Sequence, residues 1–566
     1  MLTSTSTTFV RLTRWARQGP SHHVRCVSRH AGATVHNSPP FTSPPTFESA
    51  GIRAPIASAL RLAFPNVKHP TRAQTEFIPA ILSGEDVLLK DATGTGKSFG
   101  VILALLSKAR TRSTRTQTGI VTAKPFITSL VIVPHRDLAY QFHHWIERLV
   151  MSSGTPGHAP PLLASIAQVI VRGGDTSMAS QQAAILAESP HILIGTPQAL
   201  LELVNDGSIS RTQFQTISCV YVDEVDYLVE SVPMNTTKRT QEKIKQRMER
   251  HPGATDQVLD FLFTSRRKKW RNDAGRGASQ VSPSDSPQLI MSSATLRHHL
   301  TKRLCGGNGW INRGTVVKIS GDGQPVSQAS SNNAVSHCIL IVSEDGQVRN
   351  VDGALEPIPS EVEDGPEITA GEIFSPSDIE IELQEDEIHN KYAKTELKLN
   401  RNALEVVAAA FALDVPSVAL LSLPSSAPVQ RAVHELRDLG VNAYSLDLLV
   451  ADKGRAHLLQ GSSEVSDDNP IMLVSTTATT RGLDLPELTH VFMLGLPKDR
   501  RADTYLHIAG RVGRFGRPGK VITVVDEREE ERKEDGTLAW ARDDPKRMVT
   551  LLAEIGIVPR QFEHFD

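Results

Sequence analysis

The chain has 566 residues, of which 39% are hydrophobic and 22% charged, and its formal net charge is −2. That length suits roughly two to four domains that each bury a core. It contains no run of about 18 consecutive apolar residues, which excludes a transmembrane helix. The four cysteines, Cys26, Cys219, Cys305 and Cys338, have neither metal-ligand spacing nor the density of a disulfide framework, so a reduced interior is expected.

Residues 1–46 hold Arg11, Arg14, Arg17, Arg25 and Arg29, many Ser and Thr, and no Asp or Glu. Phe9, Val10, Leu12 and Trp15 interleave with two of the arginines. The composition predicts a disordered mitochondrial transit peptide, the alternative being a basic tail that touches RNA.

From about residue 47 short apolar runs alternate with helical patterns, the mark of parallel sheets covered by helices. The first strands expected are Val87–Lys90, Leu130–Val133, Ile192–Gly195, Cys219–Val222 and Leu289–Ser292. Directly after the first comes Asp91-Ala92-Thr93-Gly94-Thr95-Gly96-Lys97-Ser98, then an apolar helical run. A glycine loop between strand and helix aims backbone N–H groups at a polyphosphate, with Lys97 on the terminal phosphates and Ser98 on Mg²⁺. Asp91 stands where the pattern has glycine, which puts a carboxylate beside that ligand unless it turns away. Downstream, Val220-Tyr221-Val222 runs into Asp223-Glu224-Val225-Asp226, where one acid can hold Mg²⁺ and another can orient water.

Residues 234–287 read as a basic insertion, with Lys238, Arg239, Lys243, Lys245, Arg247 and Arg250 followed by Arg266-Arg267-Lys268-Lys269-Trp270-Arg271. Cations around one Trp can bind a phosphate backbone and stack on a base, or form a solvated loop. The Gly/Ser/Asn-rich residues 321–334 suit a linker. Residues 344–388, rich in acids such as Glu361, Glu363, Asp364 and Glu385, read as a disordered acidic insertion. A second strand series follows at Val418–Ser422, Ile471–Ser475, Val491–Leu494 and Val521–Val525, without a phosphate loop of its own.

Together with Ser293-Ala294-Thr295, Arg481-Gly482-Leu483-Asp484 and His507-Ile508-Ala509-Gly510-Arg511-Val512-Gly513-Arg514, these motifs resemble, in collinear order over about residues 47–525, the DEAD-box ATP-dependent RNA helicases of superfamily 2. The resemblance implies an α/β fold of two tandem RecA-like domains, at 47–320 and 335–566, each a parallel sheet flanked by helices. It implies an RNA-dependent ATPase using ATP and Mg²⁺, with Ser98 and Asp223 on the metal, Glu224 activating water, and Lys97, Arg511 and Arg514 on the phosphates. Residues 91–98, Gln74 on the adenine edge and Asp484 would complete the nucleotide site, with Phe47 near the position of an adenine-stacking aromatic. Asp226, Ser293, Thr295 and His507 would couple hydrolysis to remodelling, and Arg136, Gly173, Gly174, Thr196, Pro197 and Thr476 would grip RNA backbone.

The chain departs from the family at Ile508, where Arg is usual, at Thr477, where Asp is usual, and at Gln198-Ala199, where Gly-Arg is usual. With the transit-like N-terminus, the resemblance extends to the fungal mitochondrial helicases of large ribosomal subunit assembly. That implies a matrix location, with mitochondrial ribosomal RNA and assembly intermediates as partners. An ATP-gated RNA clamp with little hydrolysis is the alternative, and a DNA helicase is disfavoured by the Q motif and the Asp-Glu-Val-Asp form.

Overall fold

The computed structural model describes residues 27–30 and most of 44–565. Residues 1–26, 31–43, 111–126, 268–285, 322–334, 358–395 and 447–469 lie outside the described set, as do shorter breaks that include Ala92, Gly174, Arg481, Gly482, Asp484 and Arg514.

The first sheet holds β1 (Val27–His30), β2 (Val87–Lys90), β3 (Ser129–Ile132), β4 (Ala167–Ile170), β5 (Ile192–Gly195), β6 (Cys219–Val222), β7 (Gln288–Ser293) and β8 (Val317–Ser320). Their spatial order is β1-β8-β2-β7-β6-β3-β5-β4, and every pairing is parallel. Strand residues alternate between two cores, as the two-residue period requires. Leu89, Val131, Ile194 and Tyr221 pack with the helices Ala54–Ala63, Arg72–Leu82, Lys97–Ser107 and Arg136–Met151. Leu88, Leu130, Leu193 and Val220 pack on the opposite face with Pro197–Asp206 and Ala254–Leu262.

The second sheet holds β9 (Val335–Val342), β10 (Val348–Asn350), β11 (Val418–Leu423), β12 (Ala443–Ser445), β13 (Ile471–Thr476), β14 (His490–Leu494) and β15 (Gly519–Asp526), in the order β10-β9-β15-β14-β11-β13-β12. All pairs are parallel except β10 with β9. Leu421, Val474 and Ile522 face the helices Arg401–Asp414 and Val429–Asp438, while Leu420, Leu473 and Val521 face Ala502–Ala509 and Asp544–Glu554. The fold is therefore two parallel-sheet α/β domains of RecA type. No described helix is long and apolar enough to cross a membrane.

Two expectations of disorder fail within the described residues. Val27–His30 is a strand on the edge of the first sheet, inside the segment expected to be unstructured. The first part of the acidic insertion is the turn and strand of a β9–β10 hairpin, which the C-terminal tail clamps: Asn350 accepts from the Phe562 N–H at 2.8 Å, and the Arg560 N–H donates to His337 O at 2.8 Å. The remainder of that insertion, 358–388, is outside the described residues.

Candidate functional site at the interdomain cleft

The loops after β2, β6 and β7 meet at the carboxyl end of the first sheet, where open α/β sheets place their ligands. Gly94 (φ 80°) and Gly96 (φ 78°) are left-handed, so the phosphate loop requires glycine at both. Gln74 completes a capping box with Thr71, and its Nε2 donates to Gly96 O at 2.9 Å. The amide expected on an adenine edge is thus tied to the helix cap and the loop. Lys97 is buried and donates to Asp91 O at 2.8 Å. Burial pulls the Lys97 ammonium below the usual lysine range, against the attraction of Glu224, Asp91 and Asp223. The Asp91 carboxylate itself faces Gly321, where an added Cβ would lie 2.0 Å from its Oδ1. It reaches the end of β8 while staying close enough to Lys97 to attract it.

Asp223 is 2% exposed and accepts from Ser98 Oγ at 2.8 Å, from Ser292 Oγ at 2.5 Å and from the Glu224 N–H at 3.1 Å. Burial, with Glu224 beside it, pushes the Asp223 carboxyl above the usual range. The paired oxygens of Ser98 and Asp223 fit a hard divalent cation, which takes oxygen ligands and neutralises the crowded acids. Glu224 has φ 49° and ψ 49° and is the one non-glycine among the described residues with positive φ. Backbone strain of this kind persists where surrounding structure over-determines it. Asp226 accepts from Ser293 Oγ at 2.7 Å and Thr295 Oγ1 at 2.6 Å, joining the acid-rich motif to the end of β7.

The second domain closes this site. His507 is 1% exposed, with Nδ1 3.7 Å from Glu224 Oε2 and Nε2 3.6 Å from Asp226 Oδ2. Gly510 abuts Thr93, whose Oγ1 would lie 2.2 Å from an added Cβ. Arg511 is buried near enough to Lys97 to disfavour its charge, and its guanidinium donates to His507 O at 2.8 Å and to Leu483 O. Arg297 and Asp503 form a further ion pair between the domains.

The expected backbone-gripping residues end strands or open helices: Gly173 lies just beyond β4, Thr196 and Pro197 follow β5, and Thr476 ends β13. Arg136 Nη1 donates to Gly173 O at 2.9 Å. Ala92, Gly174, Asp484 and Arg514 are outside the described residues.

Several sequence expectations need correction. Phe47 is buried in the first core and has no ring face open to an adenine. Ile508 and Thr477 line one small cavity with Ser425, whose Oγ is 2.7 Å from Thr477 Oγ1, so the two departures lie together and strand no charge. Ala199 is fully buried. Arg266 is not a surface cation: its Nη1 donates to Asp86 Oδ2 at 2.6 Å and to Trp310 O, with Ser286 Oγ at 2.7 Å and Pro287 O at 2.8 Å completing the shell. Arg267 pairs with Asp260 at 2.6 Å, while Lys268, Lys269 and Trp270 are outside the described residues. Sequence reasoning missed Ser292 and Tyr221, whose hydroxyls meet at 2.8 Å behind Asp223. Their only signal was position near the ends of strands that lead into the Asp223–Asp226 and Ser293–Thr295 motifs.

A phosphate loop in one RecA-type domain is thus faced by a histidine and an arginine from a second. Residues 71–303 match the DEAD/DEAH box helicase family and residues 419–516 the helicase conserved C-terminal domain. The chain belongs to the DEAD/DEAH box helicases. It is 26% identical over 487 residues to the ATP-dependent RNA helicase mak5 of Aspergillus oryzae, covering 84% of this chain and 54% of that protein. To the ATP-dependent RNA helicase MAK5 of Candida albicans it is 25% identical over 455 residues, 80% of this chain and 48% of that protein. The chain thus spans about half the length of these curated relatives. Among solved structures, Mss116p (NTE and C-tail double deletion) bound to ssRNA and AMP-PNP has a TM-score of 0.55 at 16% identity, covering 94% of this chain and 81% of that one.

Proposed function

We propose that this chain is an ATP-dependent RNA helicase that grips RNA backbone and separates or remodels short duplexes as its domains close. The observation that carries the reading is His507, a second-domain side chain seated between Glu224 and Asp226 of the first. In this reading residues 91–98 and Lys97 cradle the phosphates of ATP, Gln74 and Asp484 complete the nucleotide site, and Glu224 accepts a proton from the attacking water. Arg511 and Arg514 offset the charge that develops on the transferred phosphoryl group. Ser98 and Asp223 would hold Mg²⁺, which when bound neutralises phosphate charge. Asp226, Ser293, Thr295 and His507 couple the acids to closure. Arg136, Gly173, Gly174, Thr196, Pro197 and Thr476 contact RNA phosphates and sugars, which positions the strand without reading sequence. The alternative is an ATP-gated RNA clamp in which hydrolysis matters little, favoured by the Asp91 carboxylate beside Lys97 and by Ile508.

The proposed setting is the mitochondrial matrix and large ribosomal subunit assembly, with mitochondrial ribosomal RNA as partner. The support is the arginine-rich, acid-free composition of residues 1–46. Cleavage ahead of Val27 would leave β1 in its sheet. Imaging reporter fusions with and without residues 1–46 tests the setting, and import of the truncated form would remove it.

The function is tested by RNA-stimulated phosphate release. Lys97→Ala is expected to abolish it. Glu224→Gln is expected to bind ATP and RNA together without turnover, and DNA to stimulate poorly. Full RNA-stimulated turnover by Lys97→Ala would overturn the assignment.

A further inference from the structure

The basic insertion divides into two helices of opposite character. Ala254–Leu262 buries Val258 and Leu259 in the core that also holds Leu200 and Leu203 of Pro197–Asp206, the helix that opens with Pro197. Lys238–Arg250 has no buried residue. Its half-buried positions are Gln241, Ile244 and Met248, which share one side. On the opposite side Arg239, Lys243, Gln246 and Arg250 follow one another at intervals of four, three and four, a stripe about 16 Å long at the helical rise.

The cations off this stripe include two with acidic partners: Arg247 pairs with Glu230, and Lys245 lies 4.0 Å from Glu249. Arg239, Lys243 and Arg250 have no ion pair among the described residues. A row of like charges held on a rigid helix is self-repelling and is relieved by a polyanion laid along it. An acidic protein partner would seek an apolar anchor at the centre of such a face, and the stripe offers none. The arm is also firmly based. Thr237 caps its start, Arg247 ties it to the residues after the Asp223–Asp226 motif, and the next helix packs on the one that begins at Pro197.

We infer that the exposed face of Lys238–Arg250 is an auxiliary docking surface for RNA backbone phosphates, outside the strand-end residues proposed to grip RNA. This rests on the RNA reading of the whole chain. It assigns to Arg239, Lys243 and Arg250 a task that strengthens RNA capture without entering the chemistry.

The test is the full-length triple variant Arg239→Gln, Lys243→Gln, Arg250→Gln, titrated with a fluorescent single-stranded homopolymer RNA between 50 and 200 mM salt. Losing three phosphate contacts should reduce the slope of log affinity against log salt by about 2. Wild type would then lose about 20-fold more affinity than the variant across that range. Circular dichroism, ATP binding and turnover at saturating RNA should be unchanged. An unchanged slope and affinity would overturn the inference and leave a solvated face. An unchanged RNA slope with lost binding of a polyglutamate peptide would overturn it in favour of an acidic protein partner. Absence of RNA binding in the wild type would remove the parent RNA reading, and the arm with it.

Discussion

Replacing Arg266 by Gln separates a structural role from an RNA-binding one. The guanidinium is 7% exposed and makes hydrogen bonds to Asp86, Trp310, Ser286 and Pro287, while Asp86 also accepts from the Leu289 N–H at 2.8 Å. Removing the cation leaves the Asp86 carboxylate, itself 3% exposed, buried without its charge partner. Breaking a buried pair from one side costs about 3–5 kcal/mol. For a domain of this size that corresponds to a fall in melting temperature on the order of 10 °C. Differential scanning calorimetry of the full chain reads the loss in the transition of the first domain. The double variant Arg266→Gln, Asp86→Asn should recover part of it, because the stranded charge is gone. The slope of RNA affinity against salt should stay at its wild-type value. A melting temperature that does not move, with a weakened RNA affinity, would refute the reasoning and return Arg266 to the surface.

Three further outcomes follow from the cleft and the second core. Gly510→Ala should lower RNA-stimulated turnover at least about tenfold, or roughly 1.4 kcal/mol, because the new Cβ meets Thr93 Oγ1 at 2.2 Å and Leu506 O at 2.9 Å; adding Thr93→Ala should restore part of the rate, and steady-state kinetics on both variants decides. Arg511→Ala should cut turnover at saturating RNA on the order of 10³-fold if it acts as a full arginine finger, and recovery at high RNA would assign it to RNA contact instead. Burial raises the pKa of Asp414, but His490 at 2.7 Å and Lys520 at 2.6 Å outweigh it and hold the carboxyl down at about 2. A depressed carboxyl contributes stability above its unfolded pKa of about 4 and loses it as pH falls through the folded value. Asp414→Asn should therefore cost about 2 kcal/mol at neutral pH and flatten the acid unfolding of the second domain between about pH 4 and pH 2, which denaturant titration measures.

Strands buried on both faces were legible because each is a short, nearly unbroken apolar run, as at Val87–Lys90, Ile192–Gly195 and Cys219–Val222. β4 was not, because Ala167-Gln168-Val169-Ile170 carries a glutamine whose Nε2 donates to Ala164 O and Glu188 O in three dimensions alone. β9 was not either, since its first residues, Val335-Ser336-His337, are half-exposed and include two polar side chains, and its parallel partner β15 lies far along the chain. The loop chemistry at Lys97, Ser98, Asp223 and Glu224 was readable from residue type and order. The direction of a side chain was not. Arg266 and Asp86 are 180 positions apart, so a run of five cations around one Trp looked like a single surface patch. Asp91 likewise turned on Gly321, a residue beyond the strand that flanks its own.

The split of the site between domains carries an electrostatic consequence. The first domain supplies Lys97, Ser98, Asp223 and Glu224, and the second supplies His507 and Arg511. Closure places the Arg511 guanidinium where it disfavours the charge on buried Lys97, so two cations approach one another in a poorly solvated cleft. The acids Glu224, Asp91 and Asp223 act on Lys97 more strongly than Arg511 does and so outweigh that repulsion, and a dense anion lying between the two cations would add to the attraction. A triphosphate meets this condition better than a diphosphate, because its terminal phosphate is the group that faces both cations in the proposed pose. The ligand can shift the domain equilibrium only by its difference in affinity for the two states, with about 1.4 kcal/mol for each factor of ten. In the proposed cycle, hydrolysis removes that phosphate and the attraction it adds across the cleft, which weakens the seating of His507 between Glu224 and Asp226. The same buried charges that assemble the chemistry therefore make closure depend on which nucleotide is bound.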